Sequence, residues 1–133
     1  MSHRKTVSSG SYLEPIIGFS RAVRIGQHVS VAGTAPIADG GGTFGVGDVA
    51  AQTRRCLDIS LRALEQAGAR AEDVIRTRIM VTDAAFWRAA AEVHGEVFGE
   101  IRPASTIVVV SGFVDPDWLV ELEMDAIVGE IEQ

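Results

Sequence analysis

The apolar residues of this chain follow two periods, and the switches between them divide it into elements. Phe19–Ile25 is strand-like, Gly26-Gln27 makes a short turn, and His28–Ala32 returns as a second strand, so the pair predicts a hairpin that ends at Gly33-Thr34. Residues 38–47 hold five glycines around Thr43-Phe44 and read as a loop or short edge strand. The period then becomes helical. Asp48 is a good N-cap, Gly68 a good stop, and Val49, Thr53, Cys56, Leu57, Ser60, Leu61, Leu64 and Ala67 share one face between them. Val74–Thr82 alternates again, with Ile75, Thr77, Ile79 and Val81 on one side and Arg76, Arg78, Met80 and Thr82 on the other. Asp83 caps a second helix with Phe86, Ala90, Val93, Val97 and Phe98 as its apolar face and Gly99 at its end. Ile107–Val110 and Leu119–Val128 supply two further strands.

The order β-β-(β)-α-β-α-β-β predicts an α+β fold, a mixed sheet with two helices packed on one face. The other sheet face is then open, and its Val and Ile content predicts cover from another subunit. The whole of 1–133 reads as a single domain. Residues 1–18 are polar and read as an arm that orders only by docking.

Composition narrows the function classes. A net charge of −6 makes a phosphate backbone a poor default partner. No apolar run is long enough to span a bilayer, and Met1–Thr6 has no apolar stretch behind its charges, so a cytoplasmic location is the default expectation. Phosphate-loop, dinucleotide, zinc-protease and nucleophile-elbow motifs are absent from the sequence, and no metal site is expected. Cys56 is the single cysteine and sits on the apolar face of the first helix, where it reads as core. His94 reads as a helix–sheet packing residue.

The last strand carries the candidate chemistry. Val120, Leu122, Met124, Ala126 and Val128 face one way, and Glu121, Glu123 and Asp125 the other. Like charges on one strand face repel unless paired, and Arg76 and Arg78 can pair with two of them. That leaves one carboxylate to act on a water or ligand, where partial burial would raise its pKa and suit it as a base. Arg102 precedes Pro103, which predicts an extended backbone and a rigid guanidinium able to clamp a carboxylate; a surface role is the equal alternative.

The segments Gly18–Val23, Val31–Pro36, Val74–Asp83, Arg102–Thr106 and Val120–Glu123, in this order and spacing, resemble the Rid/YjgF family of reactive-intermediate deaminases, also called L-PSP endoribonucleases. The resemblance covers about residues 12–130. It implies a chorismate-mutase-like fold with a six-stranded sheet and a homotrimer with pockets between subunits. It also implies cofactor-free hydrolysis of imines and enamines of 2-oxo acids. It places the water-orienting carboxylate at Glu121, and a binding pocket at Phe19, Gly33, Ser105, Thr106 and Ile107, with Arg102 a candidate from its own position. Three positions depart from the family pattern: Phe19 lacks a Tyr hydroxyl, Ala91 replaces a pocket Asn, and Ser105 stands where the family's carboxylate-binding Arg would be. Losing such a charged contact removes roughly 2–5 kcal/mol of carboxylate binding. The expectation is therefore a small-molecule ligand, a carboxylate among the candidates, acted on at a C–N bond. A non-catalytic metabolite-binding or regulatory trimer is the alternative, and an endoribonuclease a less favoured third.

Overall fold

The computed structural model describes residues 3–129. In chain order the elements are β1 (Arg4–Val7), α1 (Leu13–Ile17), β2 (Ala22–Ile25), β3 (His28–Thr34), α2 (Val49–Gln66), β4 (Val74–Val81), α3 (Trp87–Phe98), β5 (Ala104–Val109) and β6 (Val120–Ile127). The sheet has six strands in the order β1-β2-β3-β6-β4-β5. All neighbours are antiparallel except β4 and β5, which run parallel with α3 as their crossover. The α+β class and mixed six-stranded sheet expected from the sequence are present.

The sixth strand comes from an unexpected place. The glycine-rich loop contributes only an isolated bridge between Ile37 and Thr43. The N-terminal arm instead supplies β1, which pairs with β2 from Arg4↔Ile25 to Val7↔Ala22, and then the short helix α1. The polar side chains that made this segment look like an arm are those of an edge strand, where only Val7 is buried. Residues 1 and 2 lie outside the described part of the chain.

The helix α2 follows its pattern. The Asp48 carboxylate accepts from the Ala51 N–H, and Gly68 closes the helix end at φ +89°. The face of α2 buries Val49, Thr53, Cys56, Leu57, Ser60 and Leu64 against β3 and β6, and adds Gln52, which the period alone did not place in the core. Gln52 is fully buried because it clamps the turn before β6: Nε2 donates to the Asp117 carbonyl at 2.9 Å, and Oε1 accepts from Leu119 N at 2.8 Å. Cys56 is core, as expected, with burial pushing its thiol pKa well up. The Asp83 side chain caps a short 3-10 turn at Ala84–Phe86, which runs into α3.

Two bulges reset the strand faces. On β4, Val74 pairs with Ala126 and Arg76 with Asp125, so Ile75 is an extra residue opposite nothing. Ile75 is 47% exposed, and Val74 takes its place in the core. The alternation expected for this strand therefore holds only from Thr77 onward. On β3, Val31 pairs with Met124 and Thr34 with Leu122, so Ala32 and Gly33 together oppose one residue of β6. Without that extra residue Gly33 would follow Val29 and Val31 into the core. The bulge puts Thr34 there instead and turns Gly33 to the opposite face.

Arg102 also differs from expectation. Its φ of +58° is left-handed and not extended. The residue ends α3: its N–H reaches the Phe98 carbonyl at 2.8 Å, and Nε donates to the Gly99 carbonyl at 3.1 Å. Closing a helix end outweighs the preference that Pro103 imposes on the preceding residue.

Candidate functional site

The acidic edge of β6 sorts as its register dictates. Glu123 faces Arg78 across the β4–β6 ladder and forms an ion pair at 2.6 Å. Asp125 accepts from Ser30 Oγ at 2.8 Å and lies 3.9 Å from the His28 ring nitrogen. Glu121 faces Met80, which offers it no charge. It forms no ion pair among the described residues, and its pKa is raised by burial and by neighbouring Glu123, while Arg21 works in the opposite direction. Of the three carboxylates, Glu121 is the one left available for chemistry.

Gly33 stands directly against it. A Cβ at position 33 would lie 3.1 Å from Glu121 Oε1. The β3 bulge and the missing side chain together open this space.

The residue that ties the site together is Arg21, which the sequence reading passed over. It is 3% exposed. Nη1 donates to the Gly33 carbonyl at 2.7 Å and to Thr34 Oγ1 at 3.1 Å, Nε donates to Ser9 Oγ at 3.0 Å, and the Arg21 carbonyl accepts from Ala32 N at 2.9 Å. Thr34 Oγ1 in turn donates to the Ala32 carbonyl. Arg21 thus staples the bulge that presents Gly33. Its guanidinium lies over the Phe19 ring, 5.1 Å from the centroid. Burial lowers the Arg21 pKa, and the Glu14 and Glu121 carboxylates oppose that shift. The available signal in the sequence was a lone Arg at the start of an apolar strand, Ser20-Arg21-Ala22-Val23, where a side chain has to be buried.

Phe19, Gly33 and Glu121 therefore each adjoin Arg21: the ring under its guanidinium, the Gly33 carbonyl bonded to it, and the Glu121 carboxylate coupled to its charge. Ser105, Thr106 and Ile107 are on β5, the edge strand, with β4 between them and β6. Thr106 pairs with Arg78, on the face of Glu121 and Glu123. Ser105 pairs with Thr77 and points to the helix side. Its Oγ lies 2.8 Å from Thr77 Oγ1, which is 2.9 Å from His94 Nε2. Burial lowers the His94 pKa, and its ring rests against Phe98, as a packing role requires. Ala91 adds no polar group to this region. Arg102 is engaged by the end of its own helix. Within one chain the β5 residues do not meet Glu121. No cluster of metal-ligating side chains occurs among the described residues.

Residues 10–128 match the family model described as Endoribonuclease L-PSP. The chain belongs to the Rid/YjgF (L-PSP) family. The chain is similar to a crystal structure of Rv2704 from Mycobacterium tuberculosis, a YjgF/YER057c/UK114 family member, with a TM-score of 0.85 and 50% identity over 95% of this chain and all of that one. The YjgF gene product of E. coli has a TM-score of 0.80 at 26% identity, covering 92% of this chain and 98% of that one. The 3-aminoacrylate deaminase RutC of Acinetobacter baylyi is 36% identical over 108 residues, 81% of this chain and 85% of that protein. These Rid/YjgF neighbours carry the chorismate-mutase-like fold expected from the sequence. No described helix is long and apolar enough to cross a membrane.

Proposed function

We propose that this Rid-family chain acts as a homotrimer that binds a small metabolite between subunits and hydrolyses a C–N bond, an imine or enamine, with Glu121 as the base. The observation that carries the reading is the state of Glu121. It is a partly buried carboxylate with raised pKa, without an arginine partner, set against a glycine. Such a group can hold a water by one oxygen and take its proton as the oxygen attacks the C=N carbon. The proton passes to nitrogen, the tetrahedral intermediate expels ammonia, and the products are a carbonyl compound and NH₃; atoms balance with water as the only co-reactant. The relative named as a 3-aminoacrylate deaminase supports an enamine of this kind as the substrate class.

The positions of the remaining candidates support the trimer reading. Ser105, Thr106, Ile107 and Arg102 belong to or precede the edge strand β5, away from their own Glu121. A second copy that docks β5 beside the Phe19–Gly33–Glu121 face would complete the pocket. Ser105 Oγ, accepting from Thr77, would keep its own proton to donate to a ligand oxygen.

One observation favours a second reading, a non-catalytic metabolite-binding trimer. Position 105 offers a neutral hydroxyl where the family pattern has a guanidinium. A ribonuclease is the least supported, because the net charge is −6. Timing the loss of a 2-imino acid generated in situ, with wild type and Glu121→Gln, tests the leading reading.

A further inference from the structure

A cavity of about 360 Å³ opens beside Arg21, between the Ser9–Tyr12 segment, the loop after β3 and the middle of α2. Two guanidiniums line it, Arg21 and Arg55. Arg21 is buried and forms no ion pair among the described residues. Its hydrogen bonds use Nε and Nη1, and Nη2 has none among the described residues. The nearest compensation stands one hydroxyl away: Ser9 Oγ accepts from Arg21 Nε and donates to Glu14 Oε2 at 2.9 Å. Burial alone would raise the Glu14 pKa, but hydrogen bonds from Ser8, Ser9 and Ser11 outweigh it and keep the carboxylate ionised. Arg55 donates from Nε to the Ile37 carbonyl at 2.6 Å and from Nη2 to Asp39 at 3.0 Å, which leaves Nη1 without a partner among the described residues. Asp39 is 99% exposed at its side chain and easily displaced.

A buried cation without a contacting carboxylate is costly unless an anion meets it. The remaining walls are mixed: Tyr12, Ala35, Ile37 and Ile59 supply apolar surface, and Ser9, Ser11, Thr34 and Asp39 supply polar groups. The volume exceeds what a bare inorganic ion needs, and at the low end of ligand pockets it suits a small organic molecule. We infer that this cavity is a binding site for a small monocarboxylate with an apolar body, its carboxylate on Arg21 and Arg55 and its body against Tyr12, Ile37 and Ile59. The inference stands apart from the hydrolytic reading above, since neither Glu121 nor β5 lines the cavity.

The test is a titration of the full chain with benzoate and butyrate, with butyramide and inorganic phosphate alongside, followed by calorimetry and amide shifts. The carboxylates are expected to bind saturably, more tightly than butyramide or phosphate, and to shift Ser9, Thr34 and Arg55. Arg55→Gln should weaken binding about tenfold by removing one charged contact. Asp39→Ala changes a fully exposed side chain and keeps the test alive if Arg55→Gln does not fold. It frees Arg55 and should tighten binding about twofold, the scale of an exposed ion pair. Glu121→Gln should not weaken binding, because Glu121 does not line the cavity. The inference is overturned by absence of saturable binding, by equal affinity for butyramide, by tighter binding of phosphate, by no gain in Asp39→Ala, or by shifts centred on Phe19 and Gly33 that Glu121→Gln abolishes.

Discussion

Arg21 donates from Nη1 to the Gly33 carbonyl at 2.7 Å, and Gly33 is the residue against which the Glu121 carboxylate rests. This contact makes the position of the candidate base depend on a buried side chain twelve residues before Gly33. Arg21 is a positioning residue in this account. Its charge also matters, because it holds down the Glu121 pKa that burial raises.

Replacing it separates the two effects. Arg21→Met should destabilise the protein by about 2–4 kcal/mol, because the Gly33 carbonyl, Thr34 and Ser9 lose a shared buried donor. It should also move the acidic limb of the pH–rate profile upward, since Glu121 loses the cation that holds its pKa down. Arg21→Lys should restore part of the pH profile and little of the stability, because an ammonium cannot span the three acceptors. Urea unfolding read beside the pH dependence of turnover checks both; an unmoved acidic limb in Arg21→Met would show that the residue is structural only.

Gly33→Ala puts a methyl 3.1 Å from Glu121 Oε1. The contact is with the end of a flexible side chain, so the fold should tolerate it. The carboxylate has to move by a few tenths of an ångström, which should lower kcat by about tenfold while the melting temperature changes little. Thermal melts and single-turnover rates on one preparation give the comparison.

These residues also show what was readable from the sequence. The hairpin, both long helices and the acidic edge of β6 follow from period and caps, because each buries a continuous apolar face. The pairing argument left one of the three acids over, and the family resemblance placed it at Glu121; in the fold Glu123 takes Arg78 and Asp125 takes Ser30. The bulges at Ile75 and at Ala32-Gly33 were not readable: one inserted residue leaves the local composition unchanged and only partner strands reveal it. The role of Arg21 was hidden for the same reason, because its acceptors are backbone carbonyls and hydroxyls brought together by the fold. The backbone of Arg102 was not readable because closing the end of α3 competes with the preference that Pro103 sets, and the local sequence does not show which wins. The N-terminal strand was missed because an edge strand buries only one residue in its length, Val7.

Stability should respond to Glu121 with a defined sign. Its folded-state pKa lies above the unfolded value, so the native state binds the proton more tightly. Stability is therefore undiminished by this group at pH below the ordinary carboxylate range and falls as pH rises from there through the folded pKa. Glu121→Gln removes that loss. The variant should melt higher than wild type at pH 7, with the difference closing toward pH 4, as thermal scans across that range would record. A variant that melts lower at pH 7 would mean that the ionised carboxylate is held by favourable contacts.

Position 105 decides between the two functional readings. If the wild type is an enzyme, Ser105→Arg should raise kcat/KM for a 2-imino acid by about tenfold or more through a new carboxylate contact, on a measurable wild-type rate. Acceleration only in Ser105→Arg, with none in wild type, would instead mark a binding protein on the same scaffold.

The most direct measurement is the rate at which a short-chain 2-imino acid, generated in situ, disappears in the presence of wild type and of Glu121→Gln. The account predicts acceleration by wild type and a fall of about 10²–10⁴ in the variant, the usual contribution of a positioned base, with the fold retained. Equal rates for the two proteins, or no acceleration by a well-folded wild type, would contradict it.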